Sequence, residues 1–433
     1  MNIILLSGGS GKRLWPLSND IRSKQFLKIF KTDQGYESMV QRVYRQIHKV
    51  DPEAHITIAT SENQVSMIHN QLGYHVGICV EPCRRDTFPA IALACSYLRD
   101  VKHVDLKEGV VVCPCDSLVE DAYFESLQKL CKIAEDGNSN LCLMGIEPTY
   151  PSEKYGYILP EDVSTISKVK TFKEKPDEKT AASYIEQGAL WNGGVFAFRL
   201  GYLLEKAHEL LDFDQYQDLL DQYDQALKIS LDYAVVEKEK SISVLRYNGE
   251  WKDLGTWNTL TEAMEENHIG KAIFDTKSEN VHVLNELDIP VLCMGLKDVV
   301  VACSSDGILV SDKKESSYIK RYVDEIHQPI MFAEKSWGEY RVMDIEEESM
   351  TIKVTLNEGS KMNYHSHQYR DEVWTVISGV GLATINDRIF ELKAGDTIKL
   401  PKGCKHTVYA KTMLQMIEVQ TGKNIDVKDK IKY

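Results

Sequence analysis

"LLSGGSGKRLWPLS", residues 5–18, decides how the N-terminal part of this chain folds. The apolar run NIILL at residues 2–6 has the pattern of a buried parallel strand, and Gly8, Gly9 and Gly11 end it in a turn. Glycines at such a turn let the backbone approach a ligand and aim several N–H groups at one cluster of oxygens. The cations agree with that reading. Up to residue 31, Lys12, Arg13, Arg22, Lys24, Lys28 and Lys31 stand against a single acid, Asp20, in a chain of net charge −14. A local field of this sign attracts an anionic substrate, so the stretch reads as a cradle for a nucleoside triphosphate. It matches neither GxxxxGK[ST] nor GxGxxG, and a plain structural turn is the competing reading.

Composition narrows the rest. With 433 residues, 43% hydrophobic and 27% charged, the chain is long enough for two or three domains. Its acidic balance argues against a nucleic-acid partner, because phosphate backbones require a basic face. The ten cysteines lie mostly in apolar runs with no CxxC pair, which points to a reduced, cytoplasmic protein without a disulfide framework or zinc ribbon. MNIILLS is too short in apolar residues for a signal peptide, and nowhere do eighteen apolar residues run together, so no membrane partner is expected.

Further short apolar runs at 55–60, 110–114 and 141–146 alternate with helical patterns at 38–49 and 87–99, which indicates an α/β domain with a mainly parallel sheet. From about residue 271 short β-branched segments replace helices. After HQPI the chain reads as strand upon strand, an all-β sandwich or barrel. The expected boundaries are 1–268, a β-rich connector at 269–330 with a β-helix-like form open to it, and an all-β domain at 331–433.

The string LSGGSGKRLWPLSNDIRSKQFL resembles the signature of the sugar-nucleotide pyrophosphorylases, and among them the mannose-1-phosphate guanylyltransferases. Lys12 stands where that family has threonine and Ser23 where it has proline. Six more blocks follow in order: EPCRRDTFPAIALA, VVCPCDSLVED, TFKEKPD, WNGGVFAFR, SLDYAVVEK and WKDLGTW. The resemblance implies a Rossmann-like, GT-A-like nucleotidyltransferase domain that joins GTP and mannose 1-phosphate with the aid of Mg²⁺. By the same carry-over Leu6, Gly8, Gly9, Gly11, Lys12, Arg13, Lys24, Arg85 and Asp86 belong to the nucleotide site. Arg13 and Lys24 contact the triphosphate, and Asp116 and Asp253 hold the metal. Gly156, Glu174, Lys175 and Asn192 match the sugar-phosphate positions.

The chemistry of these types agrees. Displacement at the α-phosphorus asks the protein for positioning and charge neutralisation, and Mg²⁺ prefers one or two carboxylates beside phosphate oxygens. Asp86 has two readings, an acceptor for guanine N–H donors or the N-cap of the helix that follows it. Another sugar phosphate or triphosphate is the alternative enzyme reading. A sugar-nucleotide-binding regulator on a decayed transferase is the non-enzymatic one, and retention of Arg13, Lys24, Asp116 and Asp253 speaks against it.

Near the C-terminus, G-x5-H-x-H-x4-E-x6-G from Gly359 and G-x5-P-x-G-x2-H from Gly395 are the two cupin motifs, with Ala410 in place of the final asparagine. His365, His367, Glu372 and His406 then converge on one divalent metal, zinc or a similar ion. Relatives with such a domain include isomerases of mannose 6-phosphate and fructose 6-phosphate, whose arginine directly follows the second histidine. Gln368 stands there in this chain, and Arg370 lies two positions on. Two readings remain open, an isomerase and a domain that only binds metal or assists assembly. Because β-rich C-terminal segments of the family often form dimers, a homodimer is one state open to the chain.

Overall fold

The computed structural model describes residues 1–9, 11–423, 425 and 429–433. The chain divides into two units, one of Met1–Ser10 with Ser23–Glu265 and one of Gly11–Arg22 with Glu266–Tyr433.

The first unit is built on a nine-stranded sheet. Its order is Gly77–Glu81, His55–Ser61, Asn2–Leu6, Gly109–Pro114, Leu190–Arg199, Leu141–Ile146, Ile242–Tyr247, Ile166–Lys173 and Gly156–Pro160. The first four strands are mutually parallel, and only Leu190–Arg199 and Ile166–Lys173 run against the rest. Successive side chains of a strand leave opposite faces. Ile3 and Leu5 therefore enter one core, with the helices Met39–Val50 and Asp121–Asp136, while Ile4 enters the other, with Thr87–Asp100 and Leu200–Leu210. Both faces are covered, which is why these strands read as continuous apolar runs rather than alternating ones. The helix at 39–50 starts on a reciprocal cap, Ser38 with Gln41. The carboxyl ends of the parallel strands run into the glycine turn after Leu6, the PCRRD segment after Glu81 and Cys115-Asp116 after Pro114. Ligands of open α/β sheets bind at that end.

In the second unit, His268–Ile269, His282–Asn285 and Val299–Ser304 stack in parallel, as do Ala272–Phe274 and Val291–Cys293. These are the coils of a short β-helix-like connector around Val281, Val283, Cys293, Val301 and Cys303. Beyond it a six-stranded and a five-stranded sheet, both antiparallel, enclose a core that includes Trp374, Leu356, Leu400, Val408 and Met416. Strands such as Ser349–Leu356 alternate buried and half-buried residues, as one-sided sheets must.

Candidate functional site

The ends of the glycine turn are held by a buried polar network in the first unit. The Gln25 amide donates to the Ser7 hydroxyl at 2.9 Å, and Thr60 donates to Gln64 Oε1, also at 2.9 Å. Gln64 Nε2 donates to the Ser23 hydroxyl at 2.7 Å, and that hydroxyl donates to the Gly9 carbonyl at 3.2 Å. A proline at 23 would have no group for either bond. Arg84 adds a third hold, donating to the Gly9 carbonyl at 2.9 Å, and the Leu6 carbonyl accepts from the Cys115 thiol at 3.2 Å. Gly8 and Gly9 border open space.

The later half of the signature belongs to the second unit. Gly11 is left-handed, φ 64°, and begins a single 3₁₀ turn at Lys12–Leu14. Arg13 is exposed. Lys12 pairs with Asp324 at 2.6 Å. Ser304 donates to the Pro16 carbonyl at 2.7 Å, Asn19 to Asp306 at 2.7 Å, and Arg22 to Glu286 at 2.8 Å. Pro16, Asn19 and Arg22, to which the sequence assigns no ligand, thus fasten the loop to the connector.

Asp116 follows the strand Gly109–Pro114, and Asp253 ends the short strand Trp251–Asp253, which pairs antiparallel with Ser117–Val119. That pairing brings the two acids together although 137 positions separate them in the chain. Lys24 Nζ lies 2.5 Å from Asp116 Oδ2 and 3.6 Å from Asp253 Oδ1. Two carboxylates on one ammonium form a donor set suited to a hard divalent cation, so the residues fit the Mg²⁺ that the resemblance implies.

Gly156 and Asn192 face each other across the strands Gly156–Pro160 and Leu190–Arg199. Glu174 is buried beside them, with Oε1 on Lys175 Nζ at 2.6 Å and Oε2 without a hydrogen-bond partner. All four expected sugar-phosphate residues therefore lie in one cluster. Sequence reasoning missed Asp232, whose Oδ1 accepts from Asn192 Nδ2 at 2.8 Å. Burial, and then the charge of Glu174, push the Asp232 carboxyl up to about 7. The only signal for it was an acid inside the SLDYAVVEK block.

Asp86 has φ 71° and is the N-cap of the helix Thr87–Asp100, its carboxylate accepting from the Thr87 N–H at 2.8 Å. Arg85 donates to the Asp224 carbonyl. Glu81, at the end of its strand, is buried against the Tyr223 hydroxyl at 2.7 Å, and burial raises its pKa.

In the all-β domain, His365, His367 and His406 present ligand atoms within 4.8 Å of one another. Their Nδ1 atoms face the carbonyls of Asn363, Asp429 and Cys404. A carbonyl only accepts, so each Nδ1 carries the proton and each Nε2 is left with a lone pair. Glu372 adds a carboxylate 3.0 Å from His367 Nε2 and 3.3 Å from His406 Nε2, and the latter atom is buried without a hydrogen bond. Acceptors facing acceptors in a buried site call for a cation, and three imidazoles with one carboxylate fit a divalent transition metal. Burial, with Lys430 and His406, lowers the His365 pKa to about 3, which keeps that ring neutral. Arg370 is buried as well, donating to Glu372 at 3.0 Å and lying 3.2 Å from His367 Nε2. The displaced arginine thus reaches the same carboxylate. A cavity of about 280 Å³ opens onto these groups, and Lys335, Lys430 and Lys432 are among its lining residues.

Among the described residues no helix is long and apolar enough to cross a membrane. Residues 2–268 match the nucleotidyl transferase family model, and residues 310–433 match the model of the mannose-6-phosphate isomerase C-terminal region. The chain is 29% identical to a mannose-1-phosphate guanylyltransferase of Salmonella montevideo, over 99% of this chain and 98% of that one. It is also 29% identical to the alginate biosynthesis protein AlgA of Pseudomonas aeruginosa, over 97% and 93%. A crystal structure described as a mannose-1-phosphate geranyltransferase from Thermus thermophilus superposes with a TM-score of 0.61 at 27% identity, covering 75% of this chain and 98% of that one. With a family match over well more than half its length, on a sheet whose strand ends carry the glycine turn and the paired aspartates, the chain is an enzyme of the nucleotidyl transferase family.

Proposed function

We propose that the first domain makes GDP-mannose and pyrophosphate from GTP and mannose 1-phosphate. The observation that carries this reading is the convergence of Lys24, Asp116 and Asp253 at the strand ends, in a chain similar over its whole length to proteins named mannose-1-phosphate guanylyltransferase. A phosphate oxygen of the sugar phosphate attacks the α-phosphorus of the triphosphate, and the bond to the β-phosphate breaks. Asp116 and Asp253 would hold Mg²⁺, which neutralises charge on the phosphate oxygens. Lys24 and Arg13 bind the β and γ phosphates and steady the departing pyrophosphate. Leu6, Gly8, Gly9, Gly11 and Lys12 line the triphosphate, with Arg85 and Asp86 toward the base. Gly156, Glu174, Lys175 and Asn192 receive the sugar phosphate.

In the all-β domain His365, His367, Glu372 and His406 would hold a divalent metal such as zinc, which polarises a substrate oxygen. Arg370 in contact with two of these residues, and three lysines lining the same cavity, favour isomerisation of mannose 6-phosphate and fructose 6-phosphate over a purely structural metal. Pyrophosphate release measured across four nucleoside triphosphates and several hexose 1-phosphates tests the first activity. The highest kcat/KM is expected for GTP with mannose 1-phosphate. A preference for another pair overturns the substrate assignment, and release that persists in Asp116→Ala and Asp253→Ala overturns the metal assignment.

A further inference from the structure

Glu174 Oε2 is a buried carboxylate oxygen with no hydrogen-bond partner. Such an atom costs stability unless a ligand supplies a donor. The space in front of it exists because residue 156 is glycine: a Cβ there would lie 2.5 Å from Oε2 and 3.3 Å from the Asn192 Cβ. Asn192 is fixed at both ends of its amide, since Oδ1 accepts from the Gly194 N–H at 3.1 Å and Nδ2 donates to Asp232 at 2.8 Å. One Nδ2 hydrogen remains for a ligand. The acid that fixes this amide opens the π-turn Asp232–Val236, and Glu237, just beyond that turn, accepts from the backbone N–H of Glu174 at 3.2 Å. One short segment therefore positions both polar groups that border the gap, and π-turns of this kind recur at functional sites.

We propose that Asp232 is a positioning residue of the sugar-phosphate subsite. It aims the free N–H of Asn192 beside the orphan oxygen of Glu174, so that this donor and this acceptor together bind adjacent hydroxyls of the sugar. The inference rests on the sugar 1-phosphate reading above. It goes beyond that reading by naming the chemistry selected, a vicinal diol, and the residue that enforces it. A sugar lacking one of the two hydroxyls leaves either the amide or the carboxylate unsatisfied in a buried site, and discrimination on that basis is strong.

The test compares wild type, Asp232→Ala and Asp232→Asn with mannose 1-phosphate and its 2-deoxy and 3-deoxy analogues, by steady-state kinetics and by calorimetric binding. Asp232→Ala is expected to raise KM for mannose 1-phosphate about tenfold or more while KM for the triphosphate stays within about twofold. Asp232→Asn, whose amide oxygen accepts the same Asn192 hydrogen, restores most of the loss. The penalty for deoxygenation shrinks in Asp232→Ala, because the group that sensed the hydroxyl is no longer aimed. A merely structural acid would shift both substrates alike and leave the deoxygenation penalty unchanged, which overturns the proposal. Sugar-phosphate binding with these dependences but no pyrophosphate release refutes the transferase reading alone. Normal turnover with equal KM in all three proteins refutes the role of Asp232 alone, and failure of wild type to bind any hexose 1-phosphate refutes both.

Discussion

The ammonium of Lys24 lies 2.5 Å from the carboxylate of Asp116, so a cation assigned to phosphate and an acid assigned to metal meet each other directly. A divalent ion held by Asp116 and Asp253 would compete with that ammonium, and a bound triphosphate would offer the lysine a new partner. Lys24→Met is therefore expected to lower turnover by about 10² while making Mg²⁺ stabilise the protein more than it does wild type. Thermal melts with and without Mg²⁺, beside a pyrophosphate release assay, check both halves. An unchanged Mg²⁺ shift would remove the competition argument.

Ser23 ties Gly9 to Gln64. Ser23→Ala leaves the Gln64 amide and the Gly9 carbonyl each short of one bond, at a cost of about 1–3 kcal/mol. Denaturant titration reads this as a lower midpoint at unchanged slope. A midpoint equal to wild type would mean the network is redundant.

Two buried groups give opposite dependences on pH. The His365 pKa falls from 6.5 to about 3 on folding, chiefly through burial, so the unfolded chain binds its proton first. Its contribution in metal-free protein is complete above pH 6.5 and is lost as pH falls toward 3. For Asp232 the folded value rises from 3.8 to about 7, so ionisation costs stability above pH 7, and the cost is relieved as pH falls from 7 toward 3.8. Asp232→Asn is then expected to stabilise the protein at about pH 8 and to change little at about pH 4. Melting temperatures of the variant across that range check the sign.

Metal should matter to the all-β domain in the same way. Chelation is expected to lower its melting temperature, with about 2.7 kcal/mol lost if free metal stands at about a hundred times its Kd. His406→Ala, lacking one of the converging Nε2 atoms, should purify with less metal and respond less to the chelator. Elemental analysis of both proteins, with equal metal content as the contrary result, decides this.

Much of the fold was legible along the chain. The runs 2–6, 55–60, 110–114 and 141–146 correspond to strands, and 38–49 and 87–99 to helices, because burial on two faces leaves a periodic trace in neighbouring residues. The histidine pair was equally legible, since i and i+2 share one strand face. Asp232 was not, because its meaning lies in Asn192, forty positions away. Arg370 was legible as an arginine two positions beyond the expected one, whereas its place beside Glu372 and His367 depends on how the chain bends between them.

Sequence alone therefore determined which residue types sit near each other locally: an apolar strand ending in glycines and cations, and imidazoles spaced for one cavity. Tertiary structure decided what they meet. Strand pairing brings Asp253 to Asp116 and Lys24, and packing leaves Pro16, Asn19 and Arg22 of the signature bonded to Ser304, Asp306 and Glu286. Periodicity is a property of adjacent positions, whereas hydrogen bonds and ion pairs join whatever the packed chain places within about 3 Å, at any separation along it.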